Sequence, residues 1–318
     1  MDRITTPFGA TSTAAEVAAG IDLSGLAVVV TGGASGIGVE TARALAGTGA
    51  VVTLAVRDPD AGRAVAEDIC ATTGNPAVGV AKLDLADIAS VDAFVLGWRG
   101  PPYVLVNNAG VMNTPEGHTA AGWELQFATN HMGHFALALG LRDALAADGA
   151  ARIVSVSSSG HGSSPVLFDD LFFDRRPYDP GTAYGPSKTA NVLFTVEATR
   201  RWVGEGITAN ALMPGGIGTN LQRHWHPERL AAVKAQVAAS GGSIKTPEQS
   251  AATSVLLATS PLLDGIGGRY LDDCQEAEVV PATVDGMHGV RDHALDPVAA
   301  ERLWEVSLQL LAAARGTG

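Results

Sequence analysis

The stretch AVVVTGGASGIGVETARALAG, residues 27–47, decides the reading of the fold. Its first part is a short apolar run rich in β-branched residues, and its last part is built of helix formers. Between them Gly32, Gly33, Gly36 and Gly38 strip side chains from a strand-to-helix turn. Backbone in such a turn can approach a pyrophosphate, and the helix start offers unpaired N–H groups and a positive dipole. The same turn also serves as a plain connection, so its surroundings have to decide.

Working outward, further apolar runs follow: AVVTLAV (50–56), VGVAKLDL (78–85), YVLVNNAG (103–110), RIVSVSSSG (152–160) and ITANALMPG (207–215). Helix-compatible sequence separates them, including 60–72. Strands that are apolar throughout, rather than alternating, are buried on both faces. Strand–helix alternation then implies right-handed crossovers and a parallel sheet. The expected fold is α/β: a Rossmann-type doubly wound parallel sheet with helices on both faces. It forms a single domain over 25–318 behind an N-terminal extension, 1–24, partly helical around Ser12 to Ala19. Segments 161–183 and 216–250 read as substrate lids, and 297–314 as a helix with Val298, Leu303, Trp304, Val306, Leu308 and Leu311 as its apolar residues.

Composition narrows the function. The chain has 318 residues, 46% of them hydrophobic, which is ample for a core and excludes disorder as the main state. Its formal net charge of −12 repels phosphate backbones, so nucleic acid is not expected as a partner. Two cysteines, Cys70 and Cys274, are too few for a disulfide scaffold or a four-cysteine zinc site and fit a reducing, cytoplasmic location. No run approaches the ~18 apolar residues of a membrane span, and the N-terminus does not read as a signal peptide.

The residue after the second strand bears on the cofactor. An acidic side chain there would hydrogen-bond the ribose diol of NAD, whereas Arg57 suits a 2′-phosphate, so NADP(H) is preferred. Two alternatives stand beside this: Arg57 pairs with Asp58 or Asp60 in solvent, or Asp58 turns to the ribose and NAD(H) binds. Tyr184-Gly-Pro-Ser-Lys188 begins a helix, and residues four apart share a helix face. The phenol and ammonium can therefore face one cleft, where a cation favours phenolate and a tuned phenol exchanges a proton. Ser157, Ser158 and Ser159 lie at a strand's C-terminal edge, where parallel sheets bind ligands, or form a turn that bonds its own backbone. Asn130, in the helical run WELQFATNHMGHFALAL, either holds a water near Lys188 or braces its helix. His131 and His134 lack a carboxylate or cysteine at ligand spacing, so no metal is expected.

In combination, TGGASGIG (31–38), Asp84, NNAG (107–110), Asn130, Ser158, YGPSK (184–188) and PGGIGT (214–219) resemble the short-chain dehydrogenase/reductase family. The likeness runs from about Asp22 to Tyr270, and FGATSTAAEVAAGIDLSG, TNHMGHF and GRYLDDCQEAE point to its retinol-dehydrogenase-like branch. The resemblance implies that Tyr184 is the acid/base, that Lys188 lowers its pKa and that Ser158 orients the substrate oxygen. Asn130 would support a water-linked relay. Ser158 is preferred to its neighbours because it is the sixth residue from Ile153, as in the family's pattern.

The resemblance also assigns cofactor contacts to Gly32, Ala34, Ser35, Gly36, Ile37, Gly38, Arg57, Asp84, Leu85, Asn107, Asn108, Ala109, Gly110, Tyr184, Lys188, Pro214, Gly215 and Thr219. Many members of that branch carry a membrane anchor before the first strand, and none is read here. The implied activity is hydride transfer between NADP(H) and a carbonyl or alcohol group of a lipophilic small molecule, in a homodimer or homotetramer. The competing expectation is a non-catalytic NADP(H)-sensing or scaffold protein on the same fold. His161 is expected to border the substrate, and Phe168, Leu171, Phe172 and Phe173 to line an apolar pocket or a subunit contact.

Overall fold

The computed structural model describes residues 3–218, 220–224, 228, 244–282 and 287–316. Eight strands form one sheet: β1 (Ala27–Thr31), β2 (Val51–Val56), β3 (Val78–Lys82), β4 (Pro102–Asn107), β5 (Arg152–Val156), β6 (Thr208–Met213), β7 (Tyr270–Asp272) and β8 (Gln275–Glu276). Their spatial order is β3-β2-β1-β4-β5-β6-β7-β8. All neighbours run parallel except the short β7–β8 hairpin. The order reverses between β1 and β4, which is the switch point where such sheets bind ligands.

Side chains alternate across the sheet, yet both faces are dry. Val29, Leu105 and Ile153 point to one layer, with Met132, Phe135, Leu193 and Trp304. Val28, Val30, Val104, Val106 and Val154 point to the other, with Leu45, Leu54 and Leu256. This two-sided burial is why the strands read as unbroken apolar runs.

The helices flank these layers: α1 (Ala14–Ala18), α2 (Ile37–Gly47), α3 (Pro59–Thr73), α4 (Ile88–Gly97), α5 (Gly133–Gly140), α6 (Pro180–Trp202), α7 (Pro247–Thr259) and α8 (Pro297–Gly316). Local chemistry sets their starts. Asp58 caps α3 with Pro59 next to it, and Asp179 caps α6 with Pro180 next to it, each carboxylate accepting free N–H groups of the first turn. Thr13 and Glu16 close a capping box on α1, which is shorter than the expected Ser12–Ala19. In α8, Leu303, Trp304 and Leu311 are buried, whereas Val298 is 73% exposed. The Trp304 ring meets Phe135 and Trp202 edge-on at 5.0 Å and stacks on Phe194 at 6.1 Å, pinning α8 to α5 and α6.

The N-terminal residues are tied to the far end of the sheet. Glu276 N–H donates to the Ile4 carbonyl at 3.0 Å, and Thr6 Oγ1 donates to the Cys274 carbonyl at 2.8 Å. Val17 and Leu23 are buried in the same cluster as Val28 and Leu256. Among the described residues, no helix is long and apolar enough to cross a membrane.

Candidate active site

Three strands stop earlier than the apolar runs suggest. β4 ends at Asn107, β5 at Val156 and β6 at Met213. The polar ends of those runs, 108–110, 157–160 and 214–215, are therefore loops at the C-terminal edge of the sheet. There they meet α6, which begins at Pro180, four residues ahead of the expected start at Tyr184. Tyr184 and Lys188 thus lie inside the helix rather than at its frayed end, and only 7% and 3% of them is exposed.

The Tyr184 ring packs against Gly160. A methyl group at Gly160 would sit 2.8 Å from Tyr184 Cε1 and 3.4 Å from Ser158 Oγ. The Ser158 side chain lies beside the phenol across Gly160, where its Oγ accepts the Gly160 N–H at 3.1 Å. Lys188 Nζ lies 5.7 Å from the centre of the Tyr184 ring and donates to the Val156 carbonyl at 3.0 Å. A methyl at Gly110 would be 3.5 Å from Lys188 Nζ and 3.2 Å from Asn130 Oδ1. Gly110 is thus the floor on which Asn130 and Lys188 converge.

Asn130 sits in a π-helical segment, Ala128–Met132, that leads into α5, not in regular α-helix. The segment is marked by Gly133 N–H donating to the Ala128 carbonyl, five residues back. Single π turns of this kind interrupt α-helices frequently at functional sites. The Asn130 side chain is fully committed: Oδ1 accepts Val111 N–H at 2.8 Å, and Nδ2 donates to Val111 O at 3.0 Å and Ser187 Oγ at 2.9 Å. The amide therefore braces the 110–111 loop, while the backbone carbonyl accepts from His134 Nδ1 at 3.0 Å.

Burial dominates the electrostatics. It pushes the Tyr184 phenol up to about 12, against the lowering effect of the Ser158 side chain. It pushes the Lys188 ammonium down to about 8. The sequence led us to expect a lowered Tyr184; in the chain alone, desolvation of the phenolate outweighs any help from the ammonium.

The glycine turn adopts conformations that need glycine. Gly32 has φ +65° and Gly36, at the start of α2, has φ +57°. A side chain on Gly38 would lie 2.5 Å from both the Gly32 carbonyl and Asn108 Nδ2. Gly36 has no side chain to cap α2, and the first N–H groups of a helix so started suit an anion. Ala34, Ser35 and Ile37 lie on this turn at least partly exposed. These features fit a dinucleotide pyrophosphate. Asn108 donates its Nδ2 to the Thr31 carbonyl at 2.8 Å and holds the turn's shape. Asn107 is 1% exposed and its side chain faces the interior.

Arg57 follows β2 and is exposed. Asp58 is occupied as the α3 cap, accepting Asp60 N–H at 3.0 Å and Ala61 N–H at 3.2 Å, and Asp60 pairs with Arg63. Neither carboxylate expected to compete for Arg57 engages it. Asp84 is partly exposed at the end of the β3 run, its Oδ1 accepting Ala86 N–H at 3.0 Å. Leu85, beside it, is 5% exposed and packs into the core. Pro214 and Gly215 close the opposite side, with Gly215 at φ +93° beneath the Lys245 side chain. Thr219 lies outside the described residues, as does most of 216–250, including Trp225 and His226.

Several expectations at the rim change. His161 is fully buried and does not border a substrate space. Its Nδ1 donates to the Ser158 carbonyl at 2.6 Å, its Nε2 accepts Arg291 N–H at 3.2 Å, and His293 Nε2 donates to its carbonyl at 3.0 Å. Phe168, Leu171 and Phe172 pack on the core, with Phe172 edge-on to Phe127 at 6.0 Å. Segment 161–183 is also fastened through Tyr178, whose hydroxyl donates to Thr114 O at 3.0 Å and accepts from Gln126 Nε2 at 3.0 Å. Tyr270, 3.2 Å from His161 Nδ1, and Arg291 were missed by sequence reasoning, because nothing in local spacing links them to Ser158.

Residues 26–230 match the short chain dehydrogenase family. A probable oxidoreductase of Streptomyces antibioticus is 53% identical over 301 residues, covering 92% of this chain and 100% of that protein. Human retinol dehydrogenase 11 is 40% identical over 294 residues, covering 92% and 87%. A crystal structure of an uncharacterised Mycobacterium paratuberculosis protein superposes with a TM-score of 0.73 at 34% identity, covering 93% and 97%. The chain belongs to the short-chain dehydrogenase/reductase family of NAD(P)-binding oxidoreductases, in its retinol-dehydrogenase-like branch.

Proposed function

We propose that this protein is an NADP(H)-dependent oxidoreductase that interconverts a carbonyl and an alcohol on a lipophilic small molecule. The observation that carries the reading is the convergence of the Tyr184 phenol, the Ser158 hydroxyl and the Lys188 ammonium above Gly110 and Gly160. The dinucleotide, when bound, supplies or accepts the hydride. The chain's own groups handle the oxygen. Ser158 Oγ–H donates to the substrate oxygen and orients it. In reduction, Tyr184 gives its hydroxyl proton to that oxygen as the carbon gains hydride, leaving phenolate. A phenol held near 12 is a poor base but a competent donor to an oxygen becoming alkoxide. Lys188, with its own affinity for protons lowered, would return a proton to Tyr184 through a connecting water at the Asn130 carbonyl.

NADP(H) is favoured because Arg57 is exposed and the neighbouring carboxylates are engaged elsewhere. The lipophilic substrate class follows from the likeness to retinol dehydrogenase 11. The test is a panel of aldehydes, ketones and alcohols followed at the NADPH absorbance band. Tyr184→Phe should abolish turnover and leave NADPH affinity within about twofold, since it removes one hydroxyl used in the chemical step. Unchanged turnover in that variant refutes the assigned chemistry. A wild type that binds NADPH and turns over nothing in the panel favours a sensor. Arg57→Asp should weaken NADPH by about ten- to a hundredfold, the range of a lost charge-assisted contact, and affect NADH far less. Equal loss for both would make Arg57 structural.

A further inference from the structure

Thr31, the last residue of β1, is buried at a junction. Its Oγ1 accepts Asn108 N–H at 2.9 Å and Ala109 N–H at 3.0 Å, and lies 2.9 Å from His134 Nε2. Its proton has two acceptors within reach, that imidazole nitrogen and the Val106 carbonyl at 3.2 Å. On the other side of the ring, His134 Nδ1 is 3.0 Å from the Asn130 carbonyl. A carbonyl only accepts, so Nδ1 carries the hydrogen. The Thr31 oxygen has two lone pairs and two N–H groups already on them, so it has no room for a third donor. Nε2 is therefore bare and takes the Thr31 proton. A charged ring would put a donor on both sides and break this count. Burial and the nearby Lys188 ammonium agree, holding His134 down at about 4.

We propose that His134 is a positioning residue for the dinucleotide: as the neutral Nδ1–H tautomer it locks the Asn130 carbonyl to the Thr31 hydroxyl. The lock closes a triangle of three pieces whose other two sides are also hydrogen-bonded, Asn108 to Thr31 and Asn130 to Val111. The glycine turn nests on the β4 end, since a methyl at Gly32 would lie 2.9 Å from Ala109 Cα. The β4 end meets the π segment at Gly110 and Asn130. His134 ties the π segment back to the root of the turn. The inference rests on the proposed placement of the dinucleotide along the turn and Gly110.

The test uses the full chain and NADPH, titrated by fluorescence. His134→Leu should weaken NADPH about three- to tenfold, the worth of one buried hydrogen bond. His134→Gln, whose amide oxygen can accept from Thr31, should recover to within about twofold. In a Thr31→Val background, His134→Leu should cost less than about twofold, because the partner is already gone. Independently of any ligand, long-range 1H–15N spectra of histidine-labelled protein should show His134 with hydrogen on Nδ1, and Thr31→Val should move its Nε2 shift. The spectra and His134→Gln keep the test decisive if His134→Leu does not fold. Wild-type affinity in a folded His134→Leu, or an Nε2–H tautomer, overturns the proposal. A wild type that binds neither NADPH nor NADH overturns the dinucleotide reading beneath it, while the tautomer still reports on the lock itself.

Discussion

Mild acid should unfold this protein through three histidines. His131, His134 and His161 are 2%, 3% and 0% exposed, and burial lowers them to about 3, 4 and 4. An unfolded histidine titrates near ~6.5. The native state therefore binds fewer protons than the unfolded chain between those values. Its stability is complete above about pH 6.5 and drains as pH falls towards 4. At pH 5 the unfolded chain gains about 2 kcal/mol per histidine, about 6 kcal/mol for the three. That is comparable with the whole stability of an ordinary domain, ~5–15 kcal/mol. Glu124 and Asp272 act the other way, since burial raises both carboxyls and lets the native state take up protons early. Urea unfolding at half-unit steps from pH 7.5 to 5 reads the net effect. Each proton taken up on unfolding contributes a slope of about 1.4 kcal/mol per pH unit, so the slope should approach about 4 near pH 5.5, less what the two carboxyls offset. His161→Asn should remove about one proton's worth of slope. A stability that stays flat across this range, with both carboxyls replaced by amides, would refute the reasoning.

Gly160→Ala places a methyl 2.8 Å from Tyr184 Cε1, so the ring must move; turnover should fall about ten- to a hundredfold, as for a misplaced reacting group, while NADPH affinity holds. Steady-state rates beside a binding titration check this, and unchanged turnover would mean the ring does not need that seat. Trp304→Ala removes the centre of the cluster joining α5, α6 and α8 and should cost about 3–5 kcal/mol in denaturant unfolding. A loss under about 1 kcal/mol would show that the neighbouring rings collapse into the space.

The central strands were legible because each is buried on both faces and reads as an unbroken apolar run. β7 and β8, of three and two residues, carry no period long enough to read. The true start of α6 was signalled by Asp179-Pro180, the same pairing that opens α3 at Asp58-Pro59. The same pairing signals that Asp58 caps α3. The π turn at Asn130 left no trace, since ATNHM fits ordinary α-helix as well. His161 was misplaced for a different reason. Its neighbours in sequence suggested a rim position, but a backbone N–H 130 residues away buries it. Contacts of that separation depend on tertiary packing, which no local pattern encodes.

The tie between Ile4–Phe8 and Cys274–Glu276 has a consequence for behaviour at high concentration. A bare outer strand is a template on which a second molecule can add its own, beginning edge-to-edge polymerisation. Here the amino-terminal residues occupy that template first. A fusion partner or protease cut that pulls them away would expose it, so clumping could follow from a change far from any catalytic group.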